Sequence, residues 1–108
     1  MDYKYKAFVT KVYDGDTITV DIDYGMDVWR KNVKFRLARI DTPELRGVSK
    51  EEGKKVRDYV RDLILNKYVT IKTIKDKTGK YGRYIAEVYI DDLNINDHLL
   101  EKGLAVKY

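Results

Sequence analysis

Cysteine is absent, and histidine, tryptophan and proline occur once each. Without cysteine there are no disulfides, no thiolate zinc sites and no cysteine nucleophile. A lone His98 excludes a two-histidine metal site and reads as an ordinary surface or cap residue. No apolar run approaches the roughly 20 residues that span a bilayer, so no membrane partner is expected. The opening MDYKYKAFVT lacks a basic region followed by a long apolar run, so no secretory signal is visible. The expectation is a chain that works inside the cell or a processed form of a secreted one. Repeats, linkers and low-complexity stretches are missing as well, and the length fits one domain, 1–108; a monomer is expected.

Lysine and arginine number 22 against 18 aspartates and glutamates, a formal net charge of +4. That balance permits a polyanionic partner without requiring one. Hydrophobic residues make up 44% of the chain, enough for a single core and too many for disorder.

Residues 4–13 alternate as a strand, with Ala7, Val9 and Lys11 on one side and Phe8, Thr10 and Val12 on the other. Asp14-Gly15-Asp16 is a turn signal. Residues 17–23, TITVDID, are β-branched and alternating, a second strand. Residues 31–40 form a third, in which Val33, Phe35 and Leu37 face one way and Arg36 the other. Pro43 then turns the chain. SKEE at 49–52 reads as a capping box. It opens a helix over residues 50–65 whose apolar face is Val56, Val60, Leu63 and Ile64. Residues 68–75 and 84–90 are the fourth and fifth strands, around a glycine-bearing loop at 77–83. A short strand at 93–95 leads to a short helix over 96–102, closed by Gly103. Five strands, with one long helix between the third and fourth and a short C-terminal helix, match the five-stranded Greek-key barrel of the OB-fold. The alternative is an open α+β sheet.

Four stretches carry candidate chemistry. DGDT at 14–17 sets two carboxylates around a glycine, which suits a hard cation that takes oxygen ligands, although such a turn is commonly just a hairpin. FRLARIDTPE at 35–44 places Arg36, Asp41, Thr42 and Glu44 where a strand leaves a sheet. An Arg36–Glu44 ion pair bracing the turn is the plain alternative to a phosphate grip. KYGR at 80–83 offers two cations and a ring for a nucleotide, or a solvated loop. The ten tyrosines could stack on bases, but most of them suit strand positions of a small barrel. Taken together, a hard-cation turn, a carboxylate able to activate water and two arginines are the parts of metal-assisted phosphodiester hydrolysis. Such groups would stabilise the charge that builds on phosphoryl oxygens.

DGDT, FRLARIDTPE, KYGR and the closing NDHLLEKGLA at 96–105 occur in the order and spacing of the staphylococcal nuclease (thermonuclease) family, which the chain resembles over nearly its whole length. The resemblance implies the OB barrel and a calcium-dependent endonuclease. It implies that Asp16 and Asp41 bind calcium with the Thr42 carbonyl, and that Asp14 lies behind them. Glu44 would be the general base, Arg36 and Arg83 would grip the scissile phosphate, and the 5′ oxygen would leave. Lys80 and Tyr81 would contact the neighbouring phosphate. The expected partners are DNA and RNA, as single strands or locally open duplex. The loop after Glu44 is shorter than in the founding member, and Tyr108 matches its nucleotide-contacting tyrosines only loosely. The competing expectation is a non-catalytic module that binds single strands or a protein. The presence of all of Asp16, Arg36, Asp41, Glu44 and Arg83 favours the enzyme.

Overall fold

The computed structural model describes residues 4–78 and 84–108. The described strands are β1 (Lys4–Asp14), β2 (Thr17–Asp23), β3 (Trp29–Leu37), β4 (Ile40–Asp41), β5 (Tyr68–Thr78), β6 (Tyr84–Ile90), β7 (Leu93–Asn94) and β8 (Val106–Lys107). The α-helices are α1 (Lys50–Ile64), between β4 and β5, and α2 (Ile95–Glu101). The order β3-β2-β1-β5-β6 is closed by a further pairing of β3 with β6, which makes a five-stranded barrel. That closure is parallel, with Phe35 opposite Tyr84 and Leu37 opposite Ala86, and it rules out the open sheet.

The barrel interior follows from alternation. Ile18, Val20 and Ile22 of β2 and Val33, Phe35 and Leu37 of β3 are buried in one core with Val88 of β6 and Ile71 of β5. In β1 the alternation breaks. Ala7 and Val9 share the inward side, but the register shifts between Val9 and Lys11, so Lys11 does not join them: Val12 is buried and Lys11 is exposed. A β-bulge inserts one residue and changes which face the following side chains take. This corrects the simple alternation expected there. A second shift between Val12 and Asp14 delivers the chain into the turn at 14–16.

Helix α1 buries Gly53, Val56, Val60 and Ile64, the i, i+3 and i+4 stripe of an amphipathic helix, against the barrel. The expected capping box does not form. Ser49 lies in a 3₁₀ turn over Gly47–Ser49, and its Oγ donates to the carbonyls of Glu44 (3.2 Å) and Arg46 (3.3 Å). The serine braces the loop instead of capping the helix. At the other end Asn66 takes φ +60 and donates to the Val9 carbonyl, which ties the helix exit to β1.

The third strand ends earlier than residue 40. Arg39 sits at φ +68, and Ile40–Asp41 pairs with Val106–Lys107 in a separate two-stranded sheet. Two contacts hold this break. Asn96 of α2, fully buried, donates to the Ala38 and Ala86 carbonyls and accepts from Val88 N–H. Arg39 grips Glu87 of β6 through both ends of its fork, at 2.8 and 2.7 Å, and reaches Asp97 of α2 at 2.7 Å. Burial alone would raise the Glu87 pKa. The hydrogen bonds from Arg39 and Asn94 outweigh it and hold the carboxyl below its usual range. Asn94 also caps α2, its side chain accepting from Asp97 N–H. No helix among the described residues is long and apolar enough to cross a membrane.

Candidate active site

The turn between β1 and β2 and the break after β3 meet at one end of the barrel. Asp14 Oδ1 accepts from Asp16 N–H at 3.1 Å, a local turn that swings Asp16 inward. Asp16 is buried, and its carbonyl accepts from Leu37 N–H at 2.8 Å, which fixes the turn to the end of β3. Gly15 lets this happen. A Cβ there would lie 2.5 Å from Val56 Cγ1 and 2.9 Å from Thr42 Cγ2, so the turn packs directly under α1 and against Thr42.

Asp16 Oδ2 accepts from Thr42 N–H at 3.2 Å, and Oδ1 accepts from the Thr17 hydroxyl at 3.2 Å. Arg36 Nη2 lies 3.4 Å from Asp16 Oδ2 and 3.3 Å from Asp41 Oδ1. One nitrogen touches both carboxylates, so Asp16 and Asp41 face the same cationic group. Asp16 and Asp41 offer only oxygens, the donor type a hard cation takes, and the Thr42 backbone is tied to Asp16 through its N–H. Among the described residues no three His, Cys, Asp or Glu side chains converge as a metal cluster. A hard cation held here would therefore draw further oxygens from water or a phosphate.

Charge-assisted N–H···O bonds are normally about 2.7–2.9 Å. The Arg39–Glu87 pair meets that standard and Arg36 does not, although its side chain is only 14% exposed. Arg36 is held loosely between acids, with the Tyr108 ring 4.5 Å from its guanidinium carbon. It fits a guanidinium with hydrogen-bonding capacity left for another anion.

Asp14 is the titration anomaly. Its pKa is pushed up to about 7, first by burial and then by the hydrogen bond with Asp16 and the charge of that carboxylate.

Glu44 stands apart. Its side chain is 71% exposed and pairs with Arg46 at 3.6 Å, so the Arg36–Glu44 brace anticipated as the plain alternative does not form. The Glu44 backbone, by contrast, packs directly against α1. A Cβ on Gly53 would fall 2.3 Å from its carbonyl oxygen and 2.9 Å from that of Pro43. Gly53 belongs to no motif. Its signal is a glycine inside a helix of good helix formers, a choice that costs about 1 kcal/mol unless packing requires it. Arg83, Lys80 and Tyr81 lie outside the described residues.

The sequence profile of the family described as staphylococcal nuclease homologue matches residues 34–108. The chain is 33% identical over 100 residues to a Haemophilus influenzae protein named an uncharacterised endonuclease, covering 93% of this chain and 51% of that protein. It is 33% identical over 129 residues to an uncharacterised protein of Methanocaldococcus jannaschii, covering 96% and 59%. It is 32% identical over 100 residues to the thermonuclease of Staphylococcus hyicus, covering 90% and 56%. The chain thus spans between half and three fifths of the length of these relatives.

Proposed function

Because the chain belongs to the staphylococcal nuclease homologue family, we propose that residues 1–108 act as one nuclease domain, calcium-dependent, that hydrolyses phosphodiester bonds of DNA and RNA with low sequence specificity. The observation that carries the reading is Arg36, mostly buried, loosely shared between Asp16 and Asp41. Asp16, Asp41 and the Thr42 carbonyl would hold the calcium ion, with Asp14 orienting Asp16 from behind. Calcium, when bound, adds positive charge beside the phosphoryl oxygens.

Glu44 takes a proton from the attacking water. The water oxygen bonds to phosphorus as the bond to the 5′ oxygen breaks, and that oxygen leaves with a proton from solvent. Extra negative charge gathers on the phosphoryl oxygens as this happens. The planar fork of Arg36, with that of Arg83, stabilises it more than it stabilises the ground state. Lys80 and Tyr81 contact the next phosphate. None of these groups reads a base edge, hence the low specificity. Glu44 swings from Arg46 to the water, which its exposure permits.

That same displacement favours a second reading, a non-catalytic module that binds single strands or a protein partner. Incubation of plasmid and single-stranded DNA with calcium, and in parallel with chelator, separates the two. The nuclease cuts both substrates in calcium and neither in chelator. A binding module leaves both intact.

A further inference from the structure

On the outer wall of the barrel, between the β1–β3 face and α1, lies a groove of about 920 Å³. Lys11, Lys34, Arg57 and Arg61 line it, and no acidic residue among the described ones does. Asp58, beside the groove, bonds Arg57 at 3.1 Å and lies 3.7 Å from Arg61. The four cations outnumber that neighbouring carboxylate. A solvated basic face would spread such charge over convex surface; this charge is gathered in a concavity.

The groove adjoins the candidate site at two places. Thr17, next to Asp16, and Leu45, next to Glu44, are both in its wall. Strand register defines the path between them. Thr17 pairs with Arg36 across β2 and β3. In the next row on the same face, Thr19 stands between Lys11 on β1 and Lys34 on β3. Lys34 is therefore two residues, about 6.6–6.8 Å, from Arg36 along the strand, and Lys11 lies two strand spacings, about 10 Å, beyond Lys34. Tyr13, 67% exposed, adds an open ring to the lining.

We infer that this groove binds the single-stranded segment of nucleic acid flanking the phosphodiester at Arg36, its phosphates following Lys34 and Lys11 and a base stacking on Tyr13. Spaced cations with an aromatic platform are the features that hold a single strand without reading its sequence. The inference rests on the nuclease reading for what sits at Arg36 and on the groove alone for the rest.

The test is a double variant, Lys11→Gln with Lys34→Gln. Both side chains are exposed, so the fold is not at risk, and circular dichroism checks it. Binding is measured across a salt series with two non-hydrolysable probes, an oligothymidylate of about 12 nucleotides and a dinucleotide. Each phosphate contact on a single strand contributes about 0.7 to the salt slope, so the slope for the long probe should fall by about 1.4. Its affinity should fall about tenfold at low salt, while the dinucleotide keeps parental affinity. A parental slope for the long probe, or equal losses for both probes, overturns the inference. If the parent cuts nothing and the variant still loses slope, the nuclease reading fails and the groove stands. If the parent cuts and the slope is unchanged, the groove fails and the nuclease reading stands.

Discussion

Replacing Gly53 by alanine sets two effects against each other. In an isolated helix the change should stabilise by about 0.8–1.0 kcal/mol, since glycine is the weaker helix former. Here the new Cβ would lie 2.3 Å from the Glu44 carbonyl oxygen, 2.7 Å from its carbon and 2.9 Å from the Pro43 oxygen. These are backbone atoms of a turn that Pro43 stiffens, so no side chain can swing aside. The helix and the turn must part by about 1 Å, and overpacking of that kind costs about 1–3 kcal/mol. The net should be a loss of up to about 2 kcal/mol, or up to about 8 °C in melting temperature at roughly 4 °C per kcal/mol. The effect on rate is larger. Displacing a reacting group by about 1 Å can cost about 100-fold, and the displaced backbone carries Glu44, the proposed general base. Thermal melts and single-turnover cleavage of a labelled oligonucleotide read both quantities. Lys55→Ala, on the exposed side of α1, serves as the control and should stay within about 0.5 kcal/mol of the parent. A Gly53→Ala protein that melts higher than the parent and cuts at the parental rate would refute the seating of the turn on the helix.

Arg36→Lys and Arg83→Lys should each lose cleavage rate far more than affinity for a non-cleavable analogue. Charge is kept while the planar fork is lost; parental rates in both variants would remove the arginines from the chemistry. Calcium affinity should be weak without nucleotide and should rise with pH through about 7. The Asp14 pKa is raised from 3.8 to about 7, so its contribution to metal-free stability is full below about 3.8 and is lost as pH rises through about 7, where the charged form favours the cation. Calorimetry at several pH values checks this, and an affinity flat between about pH 5 and 8 contradicts it. Arg39→Ala should destabilise by about 2 kcal/mol, because Glu87 loses a bidentate partner. In denaturant melts the gap should narrow as acid protonates Glu87, and a gap that does not change with pH would argue against the ion pair.

The parts of the fold written in local periodicity were legible. Alternation located β2 and the inward face of β3, and the helical stripe located α1 and its buried face. What escaped has non-local causes. The bulge in β1 inverts the faces of Lys11 and Val12 through its pairing with β2, and nothing in residues 4–13 marks it. The break after Leu37 depends on Asn96 and Glu87, about fifty residues away in sequence, holding Ala38 and Arg39. Arg39 adopts a left-handed conformation that glycine or asparagine would have signalled and arginine does not. At the site, the meeting of Asp16, Arg36 and Asp41 follows from motifs at the two ends of paired strands. The outward turn of Glu44 toward Arg46 does not, because an exposed ion pair of two long side chains is decided by a few tenths of a kcal/mol.

Glu44→Gln tests the central claim most directly. The amide keeps the shape of the side chain and cannot take a proton from water. Single-turnover cleavage in calcium should fall by about 10²–10⁴-fold, the usual worth of a positioned general base, while binding of a non-cleavable analogue and the melting temperature stay parental. A Glu44→Gln protein that cuts at nearly the parental rate would contradict the account, since the residue assigned to activate the water would then not be doing so.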